Sequence, residues 1–298
     1  MDAALAASYE ECKRLNSLHG KTYYLATLLL PKNKRPYVHA LYGFARYADE
    51  IVDDLASTLS PQEKAEALRT WSNGVLADLK SGTSTDHIGR ALVDTARKFN
   101  IPHQHFVDFL HSMEMDLTVT EYQSYEDLLE YVYGSAAVIG LEMVPILGYS
   151  DQRAFEAAKK LGIAFQLANF IRDVGEDLDR GRVYLPLQEL AQFGVDRAML
   201  ERRAMLERRT LTPEIVAALT FQIARVRQLQ QEAETGISYL DKESRPCIRA
   251  ASELYCGIVD EVEAIGYDIF NKRAKTSTAR RARVAGTAYI QAIAARIG

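Results

Sequence analysis

Two short acidic stretches carry the side chains best suited to chemistry. One is Asp49-Glu50-Ile51-Val52-Asp53-Asp54, the other Arg172-Asp173-Val174-Gly175-Glu176-Asp177. Each sets two aspartates four residues apart, Asp49 with Asp53 and Asp173 with Asp177. On a helix that spacing is about one turn, so both carboxylates of a pair point the same way. Two such faces set opposite each other would cage Mg²⁺ ions in oxygen ligands, and the ions would hold a diphosphate. The chemistry implied is metal-assisted loss of diphosphate from an allylic substrate. A solvated acidic helix face produces the same spacing, so the company each pair keeps must separate the two readings.

In the first stretch, Tyr42, Arg46, Asp49 and Asp53 share one helical face at spacings of four, three and four. That face offers a cation for phosphate oxygens beside carboxylates for a metal. Its plain alternative is a surface ion pair from Arg46 to Asp49 or Glu50. In the second, Gln166, Asn169, Asp173 and Asp177 share a face of an otherwise apolar helix. Amides buried without partners are costly, so something polar is expected opposite them. A metal–diphosphate complex would serve, as would amides on neighbouring helices. The loop that follows, Asp177 to Pro186, holds Arg180 and Arg182, placed either to close over a diphosphate or to balance local acid. A third stretch, Tyr131 to Gly140, is crowded with small residues. It permits tight helix packing, or room for a long apolar ligand with the Tyr131 hydroxyl near its reacting carbons.

These residues need helices to position them, and helical periodicity dominates the chain. The prolines mark helix starts and ends, Pro145 among them. Ser60-Pro61-Gln62-Glu63 reads as a helix start, and Thr212-Pro213-Glu214 repeats it. The clearest helical spans are 36–54, 61–79, 125–147, 151–177 and 213–240, with breaks at 81–85, 148–150 and 179–186. No β-branched run alternates between turn residues, and no linker or repeat divides the chain. One all-α domain over 1–298 is expected.

Bulk properties narrow the function classes. At 298 residues with 48% hydrophobic and 26% charged, the chain has the make-up of a soluble globular protein. A net charge of −4 and a pI near 5.9 argue against nucleic acid as a partner. Cys12, Cys247 and Cys256 lack zinc-type spacing and suit a reducing compartment. The start of the chain shows no signal-peptide pattern. The nearest approach to a membrane span, Gly134 to Tyr149, is short and contains Glu142. A cytoplasmic protein is expected. No basic amphipathic helix signals membrane binding, although greasy reactants would suit peripheral contact with the inner face of a membrane.

The sequence resembles the squalene/phytoene synthase family of head-to-head prenyl transferases. Four blocks carry the resemblance in order: His19 to Tyr24, Tyr42 to Asp53, Tyr131 to Gly140, and Gln166 to Pro186 with its Gly181-Arg182-Val183-Tyr184-Leu185-Pro186 tail. A weaker match runs from Tyr255 to Arg273. The resemblance implies an all-α isoprenoid-synthase bundle around a central cavity. It assigns Asp49, Asp53, Asp173, Asp177 and Asn169 to the metal, Mg²⁺ or alternatively Mn²⁺. It puts His19, Lys21, Tyr42, Arg46, Gln166, Arg172, Tyr255 and Arg273 around the diphosphates of prenyl substrates. Tyr131 would assist proton removal or guide the carbocation.

The branch it favours joins two geranylgeranyl diphosphates through a cyclopropyl (prephytoene) diphosphate to phytoene, opening carotenoid biosynthesis. The alternative is a C30 synthase making dehydrosqualene, squalene or hydroxysqualene from farnesyl diphosphate. No Gly-rich dinucleotide loop follows a strand, so NADPH is not expected. A non-catalytic helical binding protein and a head-to-tail prenyl transferase or terpene cyclase are the rivals. The four aspartates and Tyr131 argue against the first, and the Gly-Arg-Val-Tyr-Leu-Pro tail against the second. Oligomeric state is left open.

Overall fold

The computed structural model describes residues 2–53, 59–205 and 211–297, with Asp53 and 203–205 described by backbone alone. Among the described residues the chain forms helices and two isolated β-bridges, with no strand. The helices run α1 (Ala3–His19), α2 (Lys21–Thr27), α3 (Arg35–Asp53), α4 (Pro61–Ser81) and α5 (His87–Phe99). They continue with α6 (His103–Met115), α7 (Tyr125–Val132), α8 (Val138–Leu147), α9 (Arg153–Asp179) and α10 (Leu187–Ala191). The last are α11 (Arg197–Met205), α12 (Pro213–Glu234), α13 (Arg245–Cys256), α14 (Ile258–Ala264) and α15 (Thr278–Ile297).

Local chemistry explains the starts. Ser60 and Glu63 form a reciprocal capping box at α4, with Pro61 in the first turn, where a missing N–H costs nothing. Ser124 and Asp127 do the same for α7. Thr212 caps α12 by accepting from the Ile215 N–H. α4 ends on Gly82 and α5 on Asn100, both in the left-handed conformation that tightens a last turn.

Two departures from the sequence reading have physical causes. Pro145 does not mark a boundary; it lies inside α8, two residues before the end of the helix. The 125–147 span is not one regular helix either, because Tyr133–Ala137 forms a π-turn between α7 and α8. Ser112 of α6 donates its hydroxyl to the Tyr131 carbonyl at 2.9 Å, so that carbonyl is held from outside the helix. Widened turns of this kind cluster at functional sites. The span is also long and apolar enough to cross a membrane by length and composition, contrary to expectation. Here it packs into the bundle, against α6 and α9.

α9 runs through the middle, against α8, α12, α13 and α14. Two clusters of buried apolar side chains fill the bundle. One gathers α1, α3, α5 and α6 around Phe44 and Phe106. The other gathers α7, α9, α12 and α14 around Ile171, Leu219 and Ile223. At the α8–α9 crossing, a Cβ on Gly140 would come within 2.4 Å of the Ala158 carbonyl, and one on Gly162 within 2.6 Å of that of Ala136. Neither contact is sterically possible, so both positions require glycine for the helices to approach this closely.

Candidate active site

An apolar cavity of about 240 Å³ lies between α2, α8, α9 and α13. The close α8–α9 crossing sets one wall, where Ala136, Ile139 and Met143 face Ala157, Leu161 and Phe165. Tyr23, Ala26 and Thr27 of α2, with Leu30 just beyond it, form another. Gln166, Tyr23 and Tyr255 bring polar atoms to the lining. Phe165 stacks on Tyr255 at 4.9 Å, and Tyr23 packs on Tyr42 at 5.5 Å.

The acidic stretches meet this cavity through Tyr255. Burial pushes its hydroxyl up to about 12, and both Tyr42 on α3 and Arg172 on α9 lie within electrostatic range of it. On α3, Arg46 donates to Asp49 at 2.6 Å and to Glu50 at 3.2 Å. His19 approaches Glu50 at 3.8 Å, which joins the α1–α2 corner to this face. Lys21 is exposed on the first residue of α2. Asp53 closes α3, and its side chain lies outside the described residues, as does Asp54 entirely.

On α9, Gln166, Asn169, Asp173 and Asp177 form one half-buried stripe. Among the described residues neither Gln166 nor Asn169 hydrogen-bonds a neighbouring helix. Arg172 grips Asp173 with two bonds, of 2.7 and 2.5 Å. Arg273 reaches the same carboxylate at 3.2 Å and Glu176 at 3.3 Å. Gly175 makes that approach possible: a Cβ there would sit 2.8 Å from the Ile269 carbonyl, on the segment leading to Arg273. Asp177 has no such grip among the described residues. Burial, then the charge of Asp173, push its carboxyl up to about 7.

Beside the stripe lies a cluster the sequence reading missed. Asp116, just after α6, accepts from the Tyr131 and Tyr184 hydroxyls, each at 2.8 Å. Arg182 donates to the Asp116 carbonyl at 2.8 Å and to the Tyr184 hydroxyl at 3.4 Å. Phe170 stacks flat on Tyr184 at 4.2 Å. Burial and the Asp116 charge raise Tyr131 well above the usual phenol value. Tyr131 thus faces this aromatic box and is not among the residues lining the apolar cavity. Arg182 belongs to the box, while Arg180 is exposed at the end of α9. No local signal marks the cluster, because Asp116 meets Tyr131 and Tyr184 from 15 and 68 residues away.

Among the described residues no three His, Cys, Asp or Glu side chains stand together as a ready metal site. The donor set nonetheless fits a hard dication. It consists of carboxylates and amide oxygens, with Asp177 one turn from Asp173 and its charge only partly offset by Arg180 and Arg182.

An all-helical bundle around an apolar cavity, with carboxylates and arginines at its polar end, is the architecture of an isoprenoid synthase. The squalene/phytoene synthase family model matches residues 17–280, and the chain belongs to that family. It is 36% identical to the 15-cis-phytoene synthase of Synechococcus elongatus, over 94% of this chain and 91% of that one. It is also 36% identical to the chloroplastic phytoene synthase 2 of Solanum lycopersicum, over 97% and 92%. Among solved structures, a dehydrosqualene synthase in complex with a ligand superposes with a TM-score of 0.86 at 26% identity, covering 97% and 98%. A squalene synthase of Alicyclobacillus acidocaldarius shares the fold, with a TM-score of 0.80.

Proposed function

We propose that this prenyltransferase joins two geranylgeranyl diphosphates head to head, through a cyclopropyl diphosphate, and releases phytoene after loss of a proton. One observation carries the reading: the apolar cavity adjoins, at Tyr255 and Gln166, the residues that hold opposite charges in paired form. Arg46 rests on Asp49, Arg172 and Arg273 rest on Asp173, and His19 approaches Glu50. Each pair joins a cation suited to phosphate with a carboxylate suited to a metal.

When substrate arrives, the arginines transfer to the diphosphate oxygens, where planar guanidinium groups bind in bidentate fashion. The freed Asp49 and Asp173, together with Asp53, Asp177 and Asn169, would hold Mg²⁺, or Mn²⁺ in its place. The ion supplies Lewis-acid neutralisation of the leaving diphosphate. Exchange at Asp49 is cheap, because an ion pair this exposed is worth at most about 1 kcal/mol. The apolar walls from Ala136 to Phe165 keep water from a reactive allylic cation. The Asp116 carboxylate orients the Tyr131 hydroxyl and places a proton acceptor beside the site.

The C30 reading, with farnesyl diphosphate as substrate, draws on the superposition with the dehydrosqualene synthase. Product analysis separates the two. The purified protein is incubated with Mg²⁺, without NADPH, and with C15 or C20 diphosphate. A C40 hydrocarbon from the C20 substrate supports the proposal. A C30 product from C15 alone would replace it with the second reading.

A further inference from the structure

α2 is a single-helix partition with two different apolar faces. Tyr23, Ala26, Thr27 and Leu30 line the cavity. Leu25 and Leu28 point the other way and are exposed by 58% and 39%. The C-terminal end of α15 lies against the same partition. Arg296 donates to the Leu29 carbonyl at 2.6 Å, and Arg35 donates to the carbonyls of Leu28 and Leu30. Both guanidinium groups thereby satisfy the carbonyl end of α2, where cations are favoured.

α15 packs inward through Val284, Ala288 and Ala292. Its outer side carries Tyr289, Ile290, Ile293 and Ile297, with Ile290 69% and Ile297 83% exposed. Single exposed apolar side chains are ordinary, but a stripe beside a second apolar face marks an interaction site.

The segments that bear the stripe carry cations only, and their acidic partners come from other elements. Residues 21–35 and 278–297 contain no Asp or Glu in a chain whose net charge is −4. Lys34, Arg280 and Arg283 pair with Asp241, Asp260 and Glu253. Lys32, Arg35, Arg281 and Arg296 form no ion pair among the described residues. α15 is thus an amphipathic helix without an acid of its own, with Arg280 and Arg283 neutralised by neighbouring helices and Arg281 and Arg296 left to carry its positive charge, a pattern the sequence reading had not found.

We propose that the outer faces of α2 and α15 dock on an anionic lipid bilayer, so that long apolar chains cross between the cavity and the membrane beside α2. Apolar burial and attraction to acidic headgroups would act together, as for other interfacial helices. The purpose of docking rests on the reading of the cavity as a prenyl-chain site; the docking itself is tested without substrate.

The test is flotation of the full chain with vesicles of phosphatidylcholine alone, or with phosphatidylglycerol added. The native protein should float with the anionic vesicles and lose binding as salt rises. The paired change Ile290→Ser with Ile297→Ser should cut bound protein by about tenfold, with an unchanged thermal midpoint. Lys32→Glu should weaken binding to anionic vesicles and leave the neutral ones unaffected. Native protein that stays off anionic vesicles overturns the proposal, and so does equal flotation of the serine variant. A native dimer that the serine changes convert to monomer, without flotation, would identify a second copy as the occupant instead.

Discussion

The two acidic helices are built differently although their aspartates share one spacing. On α3 the Arg46–Asp49 pair is half-exposed, at 29% and 45%. On α9 the Arg172–Asp173 pair is mostly buried, at 18% and 16%, and Arg273 adds a second hold. Asp177, one turn on, is pushed up to about 7 by burial and by Asp173. Exposed pairs contribute little and are readily exchanged, whereas buried ones hold geometry and are costly to break from one side. The difference suggests a division of labour: α3 receives the diphosphate and α9 holds it during ionisation.

That division can be broken by substitution, beginning where most is lost. Asp173→Ala should lower turnover by about a thousandfold, the scale of several kcal/mol of charge stabilisation. Circular dichroism should still show a folded bundle, and near-native turnover would end the α9 assignment. Asp49→Ala should cost about tenfold to a hundredfold, and raising the Mg²⁺ concentration should restore part of it. A loss as deep as that of Asp173→Ala, insensitive to Mg²⁺, would erase the distinction. Tyr131→Phe removes one of the two hydroxyls on Asp116 and should slow kcat by about tenfold with little change in KM. A KM effect alone would make Tyr131 a substrate-binding residue only.

Glu142 is the control for burial without a site. It is fully buried on α8, neither carboxylate oxygen has a partner among the described residues, and burial alone raises its carboxyl well above the usual value. Because the folded value is raised, the cost of Glu142 is absent below the unfolded value near 4.5 and grows as pH rises above it. Glu142→Gln should therefore stabilise the protein more at pH 8 than at pH 5, by about 1–3 kcal/mol at the higher pH. Thermal midpoints of both proteins at the two pH values would show it, and a gap independent of pH would refute the account.

Features written in local chemistry were legible in the sequence. Ser60-Pro61 and Thr212-Pro213 announced α4 and α12, because caps depend on a few adjacent residues. The Arg46–Asp49 and Arg46–Glu50 pairs followed from helical spacing. What was missed depends on contacts distant in sequence. The π-turn arises where α6 takes a carbonyl from α7 through Ser112. Asp116 gained its place from Tyr131 and Tyr184, which are 15 and 68 residues away. Arg273 meets Asp173 across 100 residues, and only the family resemblance had placed them together. The apolar stripe of α15 escaped notice because it gains a second apolar face only beside α2, to which Arg296 ties it across 267 residues.

The π-turn also separates two kinds of inheritance. Tyr131 and the Asp116 box lie before it, and the cavity wall from Ile139 to Met143 lies after it. A π-turn takes in about one residue more than an α-turn, so removing one residue from Tyr133–Ala137 would return the helix to regular winding, whereas removing one from the regular turns on either side would rotate the flanking segments by about 100°. A single codon lost from α7 or α8 would turn Tyr131 against the cavity wall, while one lost inside the π-turn would cost chiefly the bond from Ser112 to the Tyr131 carbonyl. A one-codon deletion inside Tyr133–Ala137 should therefore be better tolerated than one in the regular turns of α7 or α8.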